Sequence, residues 1–137
     1  MQVELLYHTP DPERAIATAA RLCYAPVGAS ELMETMPPER VRSVLSTIMG
    51  SGHFSTLENA SYTFAVDGVS RALTHQLVRH RIASFNQQSQ RYVKFKGEIP
   101  VVKPASVAAD PETDALFDEA IAKVTEAYRV LVEAGIP

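Results

Sequence analysis

The segment RHRIASFNQQSQRY, residues 79–92, concentrates groups that bind anions. It holds three arginines, a histidine and a run of uncharged amides and hydroxyls, and it has no carboxylate to balance them. Guanidinium groups can fork onto phosphate oxygens while amides and hydroxyls select other groups of a ligand. The segment is therefore a candidate site for a phosphate-bearing ligand. The alternative is a solvated basic helix end, because cations are mildly favoured at a helix C-terminus.

The positive charge of the chain is local. Between Asp67 and Glu98 there is no acid, and six basic residues give that window a formal charge of +6: Arg71, Arg79, Arg81, Arg91, Lys94 and Lys96. Because the whole chain carries −3, the residues outside the window carry −9. Proteins that bind polyanions generally are basic throughout or along a broad face. A small anion in a pocket fits this pattern better than polymeric nucleic acid.

Other residue types that could do chemistry are less distinctive. His53 lies on a glycine-flanked loop and could be a ligand contact or an ordinary exposed histidine. Ser55 with Glu58 has the spacing of a capping box, which favours a structural role for both. His75 and His80 are five residues apart, the wrong spacing for two metal ligands on one helical face, and no metal site is expected.

Two possible nucleophiles also receive simpler interpretations. The single cysteine, Cys23, lies in the apolar context RLCYA, so we expect a buried packing residue. Ser89 lacks the context of a nucleophile elbow, and a hydroxyl that hydrogen-bonds a ligand is the simpler role.

Length and composition predict one globular domain over residues 1–137, since 46% of the residues are hydrophobic. One cysteine excludes an internal disulfide. The start lacks a basic stretch followed by a long apolar run, and no 18-residue apolar segment occurs, so we expect a cytoplasmic protein without membrane contact. The sequence stops at AGIP, which resembles the start of a connection, and we expect a chain truncated at its C-terminus.

Periodicity and punctuation predict the elements that must position the motif. The fold class expected is α+β, a small mainly antiparallel sheet covered by helices, with a long C-terminal helix. The predicted elements are a buried strand at VELLY, a helix from Pro12, a helix from Pro37 or Pro38 ended by Gly50 and Gly52, a strand at SYTFAV, a short strand or extended piece at IPVVKP, and an amphipathic helix over ETDALFDEAIAKVTEAYRVLVEA.

Two further elements would carry the basic segment. Ser70 can cap a helix over 70–81, which places Gln76, Arg79 and His80 on one face. In FNQQSQRYV, residues 87, 89 and 91 would share one face of an extended segment, and residues 88, 90 and 92 the other. If that segment folds back beside the helix, an amide, a hydroxyl and two guanidinium groups converge on one anion.

The sequence resembles the flavin-dependent thymidylate synthases. Their signature is RHR, then a serine after seven residues, then an arginine and a tyrosine, which matches Arg79, His80, Arg81, Ser89, Arg91 and Tyr92 here. The segments GHFSTLENASYTF, SRALTHQLVRHR and VLVEAGIP are similar to other parts of the family, so the resemblance covers the whole chain.

The resemblance implies an enzyme of dTMP biosynthesis, a methyltransferase that converts dUMP to dTMP with methylenetetrahydrofolate, NADPH and FAD. It implies dUMP contacts by Gln76, Arg79, Gln87, Gln88, Ser89, Gln90 and Arg91. It implies flavin contacts by His53, Ser55, Arg79, His80, Arg81, Asn86 and Gln87. Ser89, Arg79 and His53 would be the residues closest to the chemistry, with Ser89 positioning the substrate.

The resemblance also implies a homotetramer with flavin sites built between subunits. Because the family continues past this point, the 137-residue chain alone is expected to be inactive. The alternative function is a non-catalytic nucleotide- or RNA-binding module that uses the basic segment 71–96. That module would bind polynucleotides in a salt-sensitive way and hold no chromophore.

Overall fold

A computed structural model describes residues 1–95 and 97–136 of the chain. Lys96 in the basic window and Pro137 at the end of AGIP lie outside the described residues. The elements are β1 (Gln2–His8), α1 (Pro12–Leu22), α2 (Ala29–Thr35), α3 (Pro38–Ser51), a 3₁₀ helix (Phe54–Asn59), β2 (Tyr62–Asp67), α4 (Arg71–Leu77), α5 (Ala105–Ala108) and α6 (Pro111–Glu133). The α+β class, with an antiparallel pair of strands and a long last helix, is confirmed.

Contacts within the chain divide it into two units. The N-terminal unit is Gln2–Asp67, and the C-terminal unit consists of Met1 together with the chain from Gly68 onward. That the two form the single domain expected from the chain length stays a prediction.

The hydrophobic core lies among the helices of the N-terminal unit. Its buried members are Ala17, Met36, Val41, Val44 and Ile48, and partly buried apolar residues such as Leu45 pack against them. Val41, Val44 and Ile48 are spaced three and four apart on α3, so they form one stripe along that helix, as its sequence predicted. Gly52 ends α3 in the left-handed region, with φ of 72°, whereas Gly50 lies inside the helix.

Arg14 ties α1 to the end of α2. Its guanidinium donates to the carbonyl oxygens of Met33 and Met36 at 3.2 and 2.6 Å, and to the Asp11 carboxylate at 2.9 Å. The last carbonyls of a helix have no partner within the helix, so an arginine from a neighbouring helix satisfies them. Helix α2 itself was not predicted from the sequence, because APVGAS signalled only a break.

The sheet consists of β1 and β2, paired antiparallel from Gln2 opposite Asp67 to His8 opposite Tyr62. A bulge between Leu5 and Tyr7 leaves Leu6 as an extra residue on β1. The rings of His8 and Tyr62 stack with centroids 6.1 Å apart.

The prediction of a buried first strand was wrong, because every residue of β1 is exposed. The prediction that Cys23 is buried was also wrong, because Cys23 is exposed at the C-cap of α1, in the turn that follows the helix.

The C-terminal unit contains α4, the motif segment, α5 and α6. Residues 99–104, IPVVKP, form no strand and lead into the short α5, which the sequence did not predict. Lys103 pairs with Asp114 at 2.5 Å and Asp118 at 2.7 Å, four residues apart on α6. The hydrogen bonds that the Lys103 ammonium donates to these two carboxylates, to Asp114 first, raise the pKa of Lys103. No helix in the described part of the chain is long and apolar enough to cross a membrane.

Asp110 caps the start of α6. Its carboxylate accepts the backbone N–H of Thr113 at 2.9 Å, which lowers the pKa of Asp110 below its ordinary value of 3.8. A carboxyl whose pKa is lower in the folded state stabilises the fold above its ordinary pKa. That contribution is lost as the pH falls through the lowered value.

We expect Asp110→Ala to lower the urea midpoint at pH 7, because it removes the cap. The difference from the unsubstituted protein should shrink as the pH falls below 3.8 and through the lowered pKa of Asp110. Asp110→Asn is the matched control, since asparagine caps without a charge and should keep most of the stability at pH 7. A difference between Asp110→Ala and the parent that is equal from pH 7 to pH 2 would contradict this assignment.

Candidate functional site

Helix α4 carries the first of the predicted ligand residues, Gln76. The hydroxyl of Ser70 accepts the N–H of Leu73 at 3.1 Å, so the predicted cap is confirmed. The helix ends at Leu77, however, and the prediction of a helix through residue 81 was too long. Leu73 and Leu77 are exposed, at 45% and 38%, so no buried apolar stripe extends the helix.

The RHR triplet follows α4 as a tightened turn. The N–H of Arg79 donates to Gln76 and that of His80 to Leu77, each at 3.1 Å and each spanning three residues. The Nε of Arg79 donates to the His75 carbonyl at 3.3 Å. Among the described residues, the two terminal nitrogens of Arg79 have no hydrogen-bond partner.

The segment after the triplet ends in a turn, and the prediction of an alternating extended run was wrong from Ser89 onward. Residues 84–89 have no regular structure and residues 90–92 turn. The hydroxyl of Ser89 accepts the N–H of Arg91 at 3.2 Å and that of Tyr92 at 3.3 Å. The Ser89 carbonyl accepts the N–H of Val93 at 3.2 Å. Serine offers such local bonds in place of a strand ladder, so residues 87, 89 and 91 do not alternate along one face.

The motif segment does return to α4. The Nε2 of Gln87 donates to the hydroxyl of Thr74 at 2.6 Å, and the two residues are 13 positions apart in the chain. The contact brings the second half of the motif to the helix that carries Gln76. Thr74 was missed at the sequence level, because a threonine inside a helical pattern gives no signal of a side-chain partner so far along the chain.

The charged groups of the motif are open to solvent. Arg79, His80, Arg81 and Arg91 are exposed, and Ser89 is half-buried. The guanidinium of Arg91 lies over the ring of Tyr92, 5.6 Å from its centroid. That stacking orients the planar fork without using its N–H donors.

The remaining amides, Asn86, Gln88 and Gln90, are exposed, and their ligand contacts stay predictions.

His53 and Ser55 lie in the N-terminal unit, at the 3₁₀ helix Phe54–Asn59. His53 is the residue before this helix and makes no side-chain cap bond. The capping box predicted for Ser55 and Glu58 does not form, because Ser55 is already inside the helix. Both His53 and Ser55 are exposed, and their approach to the motif stays a prediction.

Metal ligation is not indicated by the geometry. Within residues 1–95 and 97–136, no three or more histidine, cysteine, aspartate or glutamate side chains are grouped so that they could hold a metal ion.

The segment that leaves the motif is anchored to α6. The N–H of Phe95 donates to the hydroxyl of Tyr128 at 3.2 Å. Together with the Lys103 ion pairs, this bond fixes both ends of the stretch between the motif and α5. Neither tie was predicted, because each joins residues that share no sequence pattern.

With the motif residues placed, comparison with known proteins defines the class. The family model described as thymidylate synthase complementing protein matches residues 4–137. The chain belongs to that family.

Curated relatives named flavin-dependent thymidylate synthase match most or all of the chain. The protein of Geobacter sulfurreducens is 54% identical over 138 residues, covering 100% of this chain and 60% of its own length. The protein of Clostridium tetani is 48% identical, and the match covers 93% of this chain and 51% of that protein. The protein of Pyrococcus abyssi is 38% identical, and the match covers 99% of this chain and 57% of that protein. The chain thus spans between half and three fifths of the length of these relatives.

We expect Ser89→Ala to open the motif turn, because the N–H groups of Arg91 and Tyr92 lose their shared acceptor. The local cost should be about 1 kcal/mol, the size of a lost cap. Hydrogen exchange of the two amides measures it and should accelerate about fivefold at that cost. Ser89→Thr keeps the acceptor and is the control. Unchanged exchange in Ser89→Ala would show that the turn does not depend on this hydroxyl.

Proposed function

We propose that the protein is a flavin-dependent thymidylate synthase and that residues 79–92 form the anion-binding part of its active site. The reaction is the reductive methylation of dUMP to dTMP, with methylenetetrahydrofolate, NADPH and FAD. The observation that carries this proposal is the family match over residues 4–137, in a chain that presents the complete motif.

The donor set of the motif fits both a nucleotide monophosphate and a flavin pyrophosphate. Phosphate oxygens accept charge-assisted hydrogen bonds, and planar guanidinium groups supply them in pairs. Arg91 is exposed and stacked, and Arg79 has its terminal nitrogens free of the bond to His75. No carboxylate lies within residues 68–97 to compete for these groups.

The proposed contacts follow the family motif position by position. Those to dUMP are Gln76, Arg79, Gln87, Gln88, Ser89, Gln90 and Arg91. Those to FAD are His53, Ser55, Arg79, His80, Arg81, Asn86 and Gln87. Where two ligands share a residue, as at Arg79, one guanidinium has enough donors for both.

Ser89 acts as a donor to the substrate in this mechanism. Its oxygen already accepts two backbone N–H groups, at 3.2 and 3.3 Å, so its lone pairs are engaged and its proton is free. A hydroxyl in that state positions a uracil or phosphate oxygen and is a poor nucleophile. The flavin, when bound and reduced, supplies the hydride, which removes the need for an attacking side chain.

The remaining protein groups orient and polarise the nucleotide. Gln76, Arg79 and Arg91 would hold the nucleotide at its ring and its phosphate, so the reacting carbon is presented in one pose. Holding both ends of the nucleotide is what separates a productive complex from simple phosphate binding.

We propose a homotetramer in the cytoplasm. Exposed apolar side chains on the sheet and on α6 support an assembly, among them Phe64 at 54%, Leu116 at 65% and Val124 at 58%. The single cysteine is in keeping with a reducing compartment. Light scattering of the flavin-loaded protein measures the number of subunits.

The proposed function predicts a yellow protein with catalytic activity. The purified full-length protein should show flavin absorption bands and should form dTMP from dUMP only when methylenetetrahydrofolate and NADPH are both present. A colourless protein that binds polynucleotides, with affinity falling steeply as salt rises, would instead indicate a nucleic-acid module.

Arg91→Ala should weaken dUMP binding by about 2 to 4 kcal/mol, because it leaves phosphate oxygens without their charged partner. Arg91→Lys should recover part of the loss, since an ammonium cannot reproduce the planar fork. Titration with dUMP measures both.

Arg71→Ala is the matched control for Arg91→Ala. It removes an equal charge from the same basic segment, at the start of α4. If Arg91 binds the phosphate specifically, Arg91→Ala weakens dUMP binding and Arg71→Ala does not. Equal losses of dUMP affinity in the two variants would exclude a specific phosphate contact by Arg91.

A further inference from the structure

The hydroxyl of Thr74 lies between the helix and the motif. It donates to the Arg71 carbonyl at 3.0 Å, one turn back along α4, and it lies 2.6 Å from the Nε2 of Gln87. Thr74 is only partly exposed, whereas Gln87 is exposed.

The hydrogen bonds of these three groups place the nitrogen end of the Gln87 amide toward the helix. The Thr74 hydroxyl donates its single proton to the Arg71 carbonyl, an oxygen that can only accept. The hydroxyl can then only accept from Gln87, and the group facing it must be the NH₂. The Oε1 of Gln87 has no partner among the hydrogen bonds of the described residues.

Without this hydroxyl the two ends of the amide would be nearly interchangeable. The last side-chain torsion of glutamine has a broad, two-fold profile, and the oxygen and nitrogen occupy nearly the same volume. Only a hydrogen-bond partner distinguishes them. An amide turned the other way would present N–H groups to a ligand donor, and the two would repel.

We propose that Thr74 is a positioning residue of the nucleotide site, which holds Gln87 by its nitrogen so that Oε1 is offered as an acceptor to the substrate. This inference rests on the proposed function. The ligand group must be a hydrogen-bond donor, and dUMP has two, the sugar 3′-hydroxyl and the ring N3–H. Thr74 touches neither, and it acts through Gln87.

The test is titration of the full-length, flavin-loaded protein with dUMP. Thr74→Val keeps the shape of the side chain and removes the hydroxyl, and it should raise the Kd by about 3- to 10-fold, the value of one hydrogen bond. Thr74→Ser restores the hydroxyl and should return the Kd to within about twofold of the parent. Thr74→Ala against Thr74→Ser gives the same comparison if the valine variant does not fold.

Thr47→Val is the matched control. The Thr47 hydroxyl makes the same kind of bond to a carbonyl of its own helix, that of Ser43 at 3.0 Å, in α3. Its removal should leave the Kd for dUMP unchanged. A loss equal to that of Thr74→Val would assign the effect to helix stability and overturn the proposal.

A double-mutant cycle separates positioning from simple structural support. In a Gln87→Ala background, Thr74→Val should add no further loss, because the residue through which it acts is gone. Equal losses in both backgrounds would overturn the proposal.

Two substrate analogues then identify the donor. The 2′,3′-dideoxy nucleotide lacks the 3′-hydroxyl, and the N3-methyl nucleotide lacks the ring N–H. The analogue that lacks the donor facing Oε1 should bind the parent and Thr74→Val with equal Kd. The other analogue should still bind Thr74→Val more weakly than the parent. If both analogues keep the full difference, Oε1 accepts from neither donor and the proposal fails.

Failure of the proposed function gives a different result. In that case the parent protein itself does not bind dUMP. If the parent and Thr74→Val bind dUMP equally tightly, the function stands and the role of Thr74 is rejected.

Discussion

The shape of the motif depends on one hydroxyl, that of Ser89. Because it accepts the N–H groups of both Arg91 and Tyr92, those two groups cannot enter a strand ladder, and the chain turns. The guanidinium of Arg91 lies across the ring of Tyr92, and the Ser89 hydroxyl proton has no acceptor among the described residues. A single side chain therefore sets the path of the backbone and presents two of the proposed substrate contacts.

The C-terminal unit has directional hydrogen bonds and a half-buried apolar stripe on α6, with Phe117, Ile121 and Val132, in place of a fully buried core. None of its described residues is buried, whereas the core of the N-terminal unit is. Its hydrogen bonds include the caps at Ser70 and Asp110 and the bond from the backbone N–H of Phe95 to the Tyr128 hydroxyl. Apolar packing is non-directional, but a hydrogen bond also fixes which atom faces which. Hydrogen bonds can therefore orient the donors and acceptors of a binding site, which apolar packing alone cannot do.

The sequence predicted most of the fold and less of the site. Elements with long periodic patterns or strong caps, such as α1, α3 and α6, were found where expected, because the pattern repeats over several turns. The extended reading of residues 87–91 failed because alternation of side chains cannot reveal that Ser89 satisfies its neighbours' N–H groups locally. The predicted end of α4 was wrong for a similar reason, since the cap and the composition gave no sign that Leu77 stays exposed. Thr74 was missed because its partner is 13 residues away.

The bulge at Leu6 reverses which face of β1 the following side chains share with those before it. Leu5 and His8, an odd number of positions apart, lie opposite Phe64 and Tyr62, which are two apart on β2 and so share a face. Counting by twos from Val3 would assign Tyr7 to that face, and the aromatic stack would then be misplaced. Because the extra residue has no partner, a one-residue deletion there would keep every pair on either side. Leu6 is thus a point where the length of this strand can vary without changing which side chains meet.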